Sequence, residues 1–270
     1  MTYSTTLIKK LNLLNFFFAS LGRIIMNKTA IIIPSRLEAV RLPNKPLELI
    51  NNKEMILHVY EAAKKTNSDQ VYVATPDQKI IDVIINNGGN AVLTSLDHQT
   101  GTDRVYEVFK DKLNSEPDII VNLQGDMPNI DSKDISNLIS YMRDRKCDIG
   151  TLASSFSSQH ELADENNVKV VLKNKVEKNH FSEATDFFRK DEKKHENLLH
   201  HVGIYAFTSE ALVRYVGLKR SKLELERKLE QLRALENSMT IHVGYIDSSP
   251  LSVDTKNDLI NVKKIMEKNE

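Results

Sequence analysis

Residues 29–46 read Thr-Ala-Ile-Ile-Ile-Pro-Ser-Arg-Leu-Glu-Ala-Val-Arg-Leu-Pro-Asn-Lys-Pro. Ala30 to Ile33 is a continuous apolar run, the mark of a strand buried on both faces. It empties into a loop, Pro34 to Pro46, that carries Arg36, Arg41 and Lys45 within ten residues. Arginine offers several coplanar donors to a phosphate and lysine offers a mobile point charge. Three prolines stiffen the loop and lower the cost of holding it ready. The glycines of a dinucleotide fingerprint or a Walker loop are missing. A cationic clamp for a triphosphate fits this loop, and so does a solvated turn with scattered charge.

Outward from this strand the pattern repeats. Met55 to Lys65 has helical apolar spacing at Ile56, Val59, Tyr60 and Ala63. Val71 to Ala74 is a second strand. Asp77 is placed to cap the helix carrying Ile80, Ile81 and Ile84, and Gly88-Gly89 ends that helix. Ala91 to Leu93 is a third strand, Thr102 to Lys112 a helix, and Asp118 to Leu123 a fourth strand. Asp131 opens a helix to about Arg145. Repeated strand–helix units imply an α/β fold, a mostly parallel sheet covered by helices. Ligands of such sheets sit beyond the carboxyl ends of the strands.

The second half is more mixed. Ile149 to Phe156, Val168 to Leu172, His201 to Phe207 and Ile241 to Ile246 read as strands. Leu223 to Glu236 reads as one helix and Leu259 to Met266 as a terminal one. Lys173 to Asn197 is crowded with charge and reads as an exposed excursion. With no internal repeat and no linker, residues 26–270 are expected to form a single domain with a smaller inserted lobe at about 150–237. Residues 1–25 stand apart as a leader or upstream extension without fixed structure, with Met26 as an alternative start. Lys9 and Lys10 before the interrupted apolar run Leu11 to Leu21 also fit a targeting signal or a helix lying on the protein. That run is too short to span a bilayer.

The 270-residue chain has 37 basic and 37 acidic side chains, which argues against a broad nucleic-acid footprint. A single cysteine, Cys147, excludes an internal disulfide and a cysteine-rich metal site.

Three strand-end segments hold chemistry beyond the cationic loop. Asp126, in Gln124-Gly125-Asp126, is a carboxylate just after a buried strand and suits a hard cation such as Mg2+. It also fits a turn aspartate. Asp254, in Ser252-Val253-Asp254-Thr255, is either a helix N-cap or a second ligand for the same cation. Asp97-His98-Gln99-Thr100-Gly101-Thr102-Asp103-Arg104 is dense in hydrogen-bonding groups and suits a base or sugar. Asp103 has a plain capping alternative, and Arg104 an ion pair with Asp103 or Glu107. His200 and His201 precede a strand, one of them pointing inward; a catalytic base and a structural histidine both fit.

The chain resembles the 3-deoxy-manno-octulosonate cytidylyltransferases, also called CMP-KDO synthetases. The resemblance rests on Ile33 to Arg36, Arg41 to Leu47, Asp97 to Arg104, Asn122 to Asp126, Asn167 to Val171, His201 to Tyr205, Leu229 to Arg233 and Val253 to Thr255. These blocks run in the family's order across residues 29–268. The first block also fits other sugar nucleotidyltransferases; the Asp-His-Gln-Thr-Gly-Thr and Leu-Glu-Gln-Leu-Arg blocks are far more specific.

The resemblance implies a three-layer αβα nucleotide-diphospho-sugar transferase-like fold. The implied reaction is transfer of CMP from CTP to the anomeric hydroxyl of KDO, with Mg2+, for lipopolysaccharide synthesis. The implied enzyme is a cytoplasmic homodimer with no nucleic-acid partner and no stable membrane insertion. Arg36, Arg41 and Lys45 are implied for the triphosphate, with Pro34, Ser35, Thr102 and Arg104 beside it. Asp126 and Asp254 are implied for Mg2+, and Gln124, His201 and Gln231 for the sugar acid. Five positions depart from the family pattern: Ala39 for Ser, Asn44 for Gly, Met127 for Glu, Glu183 for Arg and Arg227 for Glu. If Glu183 and Arg227 face each other, a charge pair has swapped; if both face the sugar, the substrate changes. A cytidylyltransferase for another acidic sugar (8-amino-KDO or a nonulosonic acid) and a non-catalytic nucleotide-binding homologue are the alternative readings.

Overall fold

The computed structural model describes residues 28–38, 41–144, 147–190 and 195–268. The expected leader, 1–25, and Ala39 lie outside the described residues. The first strand, β1, is Thr29–Pro34. The hairpin β2 (Leu49–Ile50) and β3 (Lys53–Glu54) leads into helix α1, Met55–Lys64. Strand β4 (Gln70–Thr75), helix α2 (Gln78–Asn86), strand β5 (Ala91–Leu93), helix α3 (Gly101–Glu107), strand β6 (Ile119–Asn122) and helix α4 (Ser132–Arg143) follow. The second half holds β7 (Ile149–Ser154), α5 (Gln159–Ala163), β8 (Lys169–Leu172), β9 (Phe181–Phe188) and β10 (Leu198–Thr208). It ends with α6 (Ser209–Gly217), α7 (Lys222–Arg227), α8 (Gln231–Glu236), β11 (Ile241–Ile246) and α9 (Lys256–Glu267).

Nine strands form one sheet in the order β5-β4-β1-β6-β10-β7-β11-β9-β8. Strands β5, β4, β1 and β6 are mutually parallel. Strand β10 then runs antiparallel between β6 and β7, β11 is parallel to β7, and β9 and β8 add an antiparallel edge. Side-chain alternation along β1 shows the layers. Ile31 and Ile33 pack in one apolar cluster with residues of α1, α2 and α4. Ala30 and Ile32 pack in another with residues of α3, α6 and α8. Helices therefore cover both faces of the sheet, giving three αβα layers. A third cluster joins Leu42, Ile50 and Met55 to Val253, Leu259 and Val262. It ties the cationic loop and the hairpin to the last helix.

Two expectations are corrected. Lys173 to Asn197 is not wholly an excursion: β9 pairs with both β8 and β11, and Phe187 and Phe188 are buried. The flanking charges masked a strand of eight residues. Leu223 to Glu236 is two helices, because Lys228 takes the left-handed region at φ 54°, ψ 45°. The break has a visible purpose. Arg233 Nε and Nη2 donate to Glu224 at 2.8 and 2.6 Å, both side chains being buried. Residues nine apart in an unbroken helix stand about 13 Å apart along its axis, too far for that pair. Helices α5 and α6 occupy segments with no assigned element in the sequence reading.

Candidate active site

The carboxyl ends of β1, β4, β5, β6, β7 and β11 lie along one rim of the sheet, and β10 begins there. Their loops surround a cavity of about 910 Å3. Arg41, Thr102, Gln124, His201, Gln231 and Asp254 line it directly. Lys45 and Asp126 adjoin it through Asp254 and Val253; Ser35 and Arg36 lie in the loop after β1, Pro34 ends β1, and Arg104 sits in α3.

The loop after β6 and the segment before α9 are joined by main chain: Val253 N donates to Asp126 O at 2.9 Å. Leu251 N donates to the Asn129 side chain at 2.9 Å. These contacts place Asp126 and Asp254 side by side. Lys45 Nζ sits between them, 3.0 Å from Asp126 Oδ2 and 3.1 Å from Asp254 Oδ1. Burial pulls the Lys45 pKa down, but the two carboxylates outweigh it and the net shift is upward. Arg41 Nη2 meets the other oxygen of Asp254 at 2.9 Å. Asp254 is not the helix cap. Thr255 caps α9, in a reciprocal capping box with Asp258, which leaves the Asp254 carboxylate for the cations.

Asn44 precedes the short 3-10 turn Lys45–Leu47 and lies at φ 58°, ψ 20°. Asparagine tolerates this left-handed region better than most residues, so Lys45 is aimed correctly without a glycine. Asp77 begins α2 but its carboxylate makes no cap bond. Instead it accepts from Leu37 N at 2.8 Å and anchors the cationic loop. The Ser35 hydroxyl in this loop is buried with no partner among the described residues. Gly125 is closely packed: a β-carbon there would stand 3.1 Å from Ile56 Cδ1 and 3.4 Å from Pro34 O.

Arg104 is buried, and its guanidinium donates to Thr94 Oγ1 and, at 2.9 Å, to Ser95 O. It holds the loop after β5 in place. Burial and then the charge of Arg36 lower its pKa, so the two guanidinium groups lie within electrical reach of each other. A polar chain crosses the cavity floor. Gln124 Nε2 donates to Asn122 Oδ1 at 2.9 Å, Asn122 Nδ2 to Thr102 Oγ1 at 3.3 Å, and Thr102 Oγ1 to Glu230 Oε2 at 3.2 Å. Burial raises the Glu230 pKa. Thr100 caps α3 by accepting from Asp103 N at 3.2 Å.

His201 is the inward member of the histidine pair. Thr151 Oγ1 lies 2.6 Å from Ile204 O, which can only accept, so the single hydroxyl proton points there. The contact of 2.9 Å between Thr151 Oγ1 and His201 Nε2 then requires the ring to donate. His201 is thereby the Nε2–H tautomer, with Nδ1 left as an acceptor. Burial, followed by the neighbouring His200, lowers its pKa to about 3. The ring is neutral at physiological pH. His200 stacks on Phe156 with ring centroids 5.5 Å apart and touches Glu161 at 2.7 Å.

The departures from the family pattern resolve in space. Glu183 pairs with Lys173 at 2.9 Å. Arg227 pairs with Asp186 at 2.7 Å and with Phe187 O at 2.9 Å, pinning α7 to β9. The two do not pair with each other, and neither lines the cavity. Met127 is buried in the core and touches the cavity wall.

Among the described residues no cluster of three or more His, Cys, Asp or Glu side chains could hold a metal. Asp126 and Asp254 still fit Mg2+. That ion is commonly held by one or two carboxylates with substrate phosphates completing the shell. The pair already accommodates one cation, the Lys45 ammonium. Asn122, Glu230, Lys228 and the Phe156–Asn167 wall are cavity residues given no role in the sequence. Asn122, Glu230 and Asn167 lay in the blocks that carry the resemblance; Lys228 and the rest of that wall had no signal.

The cytidylyltransferase family matches residues 30–241. A 3-deoxy-manno-octulosonate cytidylyltransferase of Bartonella henselae is 38% identical over 244 residues, covering 87% of this chain and 97% of the relative. One of Rickettsia bellii is 40% identical over 242 residues, covering 89% and 97%. A solved CMP:2-keto-3-deoxy-manno-octonic acid synthetase complexed with CTP superimposes with a TM-score of 0.82 at 36% identity, covering 90% of this chain and all of the other. With this coverage, and with the αβα fold in common, the chain belongs to the 3-deoxy-manno-octulosonate cytidylyltransferase family of nucleotidyltransferases.

Proposed function

We infer that the protein transfers CMP from CTP to the anomeric hydroxyl of KDO, releasing pyrophosphate and supplying KDO for lipopolysaccharide. The observation that carries this reading is the Lys45 ammonium bridging Asp126 and Asp254 at the rim, with Arg41 beside them. Two carboxylates ringed by cations suit a metal-loaded triphosphate, and the adjoining cavity has room for a sugar acid.

In this reading Arg36, Arg41 and Lys45 bind the β- and γ-phosphates and neutralise the leaving pyrophosphate. Lys45 moves from the carboxylates to the phosphates as the nucleotide arrives. Asp126 and Asp254 would hold Mg2+, which when bound would neutralise phosphate charge. Pro34, Ser35 and Thr102 shape the nucleotide side. Ser35 offers its unpaired hydroxyl, and Arg104 acts through the loop it anchors. Gln124 and Gln231 face the sugar with their amides. His201 presents Nδ1, which accepts from a sugar hydroxyl. Its depressed basicity makes it a positioning group, not a base at neutral pH. Orientation and charge neutralisation therefore carry the chemistry.

A cytoplasmic location suits the use of CTP. No described helix is long and apolar enough to cross a membrane. We assign a homodimer through the inserted lobe, whose outer cleft is lined by Leu172, Val176, Leu198 and Leu199. The test of the reaction is pyrophosphate release with CTP, Mg2+ and KDO, against other nucleotides and sugar acids. Release with KDO and CTP is expected. Turnover only with 8-amino-KDO or a nonulosonic acid overturns the choice of sugar. CTP binding without turnover of any sugar acid overturns catalysis.

A further inference from the structure

The cavity wall is rich in acid: Glu161, Asp164, Glu230, Asp247, Asp254 and Asp258 all line it. Its lysine and arginine complement is two residues, Arg41 and Lys228. Arg41 is engaged by Asp254 at 2.9 Å and lies on the loop expected to take the triphosphate. His200 and His201 also line the wall, but burial lowers both pKa values. A sugar acid entering this space brings a carboxylate that is ionised at neutral pH. Without a cation opposite it, the acidic wall repels it.

Lys228 is the remaining cation, and among the described residues it has no ion pair or side-chain hydrogen bond. It is a non-glycine residue in the left-handed region, at φ 54°, ψ 45°, where it separates α7 from α8. The Glu224–Arg233 pair selects that break, and the break sets Lys228 at the cavity wall. The turn at Lys228 leads directly into Glu230 and Gln231, which also face the cavity.

We propose that Lys228 is the residue of this chain that binds the carboxylate of the sugar acid. The assignment rests on the reaction inferred above and adds the determinant for an acidic over a neutral sugar. Glu230 and Gln231 flank it; Glu230 repels a second negative charge, and Gln231 offers amide donors to the same end of the sugar.

The test uses the full chain, with pyrophosphate release measured against KDO at saturating CTP and Mg2+. Lys228→Gly removes the ammonium while keeping a residue that favours the left-handed backbone. Its KM for KDO should rise about tenfold, the scale of one charge-assisted hydrogen bond. Lys228→Glu should raise it further, and Lys228→Arg should restore most of it. The KM for CTP and the melting temperature should stay unchanged. The C1 amide of KDO, which is neutral, should inhibit the unaltered chain and Lys228→Gly equally. An unchanged KM for KDO in Lys228→Gly, with the unaltered chain active, overturns the assignment and leaves the reaction standing. An equal rise in both KM values marks a structural role and also overturns it. An unaltered chain that turns over no sugar acid overturns the reaction and this assignment together.

Discussion

Replacing Lys45 by methionine removes one charge and little volume, and it tests the arrangement on which the site depends. Lys45 Nζ lies 3.0 Å from one carboxylate oxygen and 3.1 Å from the other, so the two oxygens are at most about 6 Å apart. Side-chain exposures of 25% for Asp126 and 42% for Asp254 call for an effective dielectric constant of about 40, between surface and bulk values. Two like charges then repel by about 1.4 kcal/mol, a term present with and without Lys45 but offset between them only by its ammonium. Loss of the two ammonium contacts costs about 1–2 kcal/mol after discounting for solvent screening. The variant should lose that amount, lowering the melting temperature by about 3–6 °C for a chain of this size. The vacated pair should also take a divalent ion more readily. For a dissociation constant of about 1 mM, 10 mM Mg2+ returns about 1.4 kcal/mol. Calorimetric melting at low ionic strength, with NaCl of matched ionic strength as control, reads both effects. A melting temperature within 1 °C of the unaltered chain, or a Mg2+ response no larger than that chain's, would refute the shared-cation geometry.

Arg233→Met leaves the Glu224 carboxylate, which is 0% exposed, with the half-exposed Arg220 as its one remaining cation and the Ser221 amide as a neutral donor. It should cost about 3–5 kcal/mol by urea unfolding, with Glu224→Leu added in the same chain recovering part. Glu183→Arg acts on an outward pair with Lys173, so the KM for KDO should change by less than about twofold; a large change would bring position 183 into the sugar site. His201 has a folded pKa of about 3 against about 6.5 unfolded. Its stabilising contribution is therefore complete above 6.5 and is lost as pH falls toward 3, by about 1.4 kcal/mol per pH unit. His201→Gln keeps a donor for Thr151 and should flatten the acid limb of stability against pH by that slope.

The elements legible in the sequence were those whose apolar pattern is local. Ala30 to Ile33 read as a strand because both faces are covered, and β1 is buried along almost its whole length. Strand β9 was hidden because its buried apolar residues, Ala184, Phe187 and Phe188, break the two-residue alternation at a register shift opposite Val171 and Leu172 and sit among charged flanks. The break at Lys228 was invisible because leucines at 225, 229 and 232 satisfy helical spacing on both sides of it. What selects the break is the Glu224–Arg233 pair, a tertiary contact with no local signature.

The site follows the same division. The sequence places Arg36, Asp126 and the loop from His98 to Arg104 at strand ends, and parallel pairing carries those ends to one rim. Local reading could not separate Asp254 from a cap, since Thr255 one residue later fits that role equally well. The structure decides it through contacts between distant parts of the chain. Val253 N bonds Asp126 O, and Val253 packs with Leu42 and Ile50 in the third apolar cluster. One buried valine thus ties the segment before α9 to both the Asp126 loop and the cationic loop. Burying Val253 and satisfying its amide sets the Asp254 side chain beside Lys45, so packing and hydrogen bonding of the neighbour position a charge whose own contacts are half exposed. The electrostatic arrangement is a consequence of the apolar one, so the two carboxylates should stay side by side when Lys45 is replaced and Mg2+ is offered in its place.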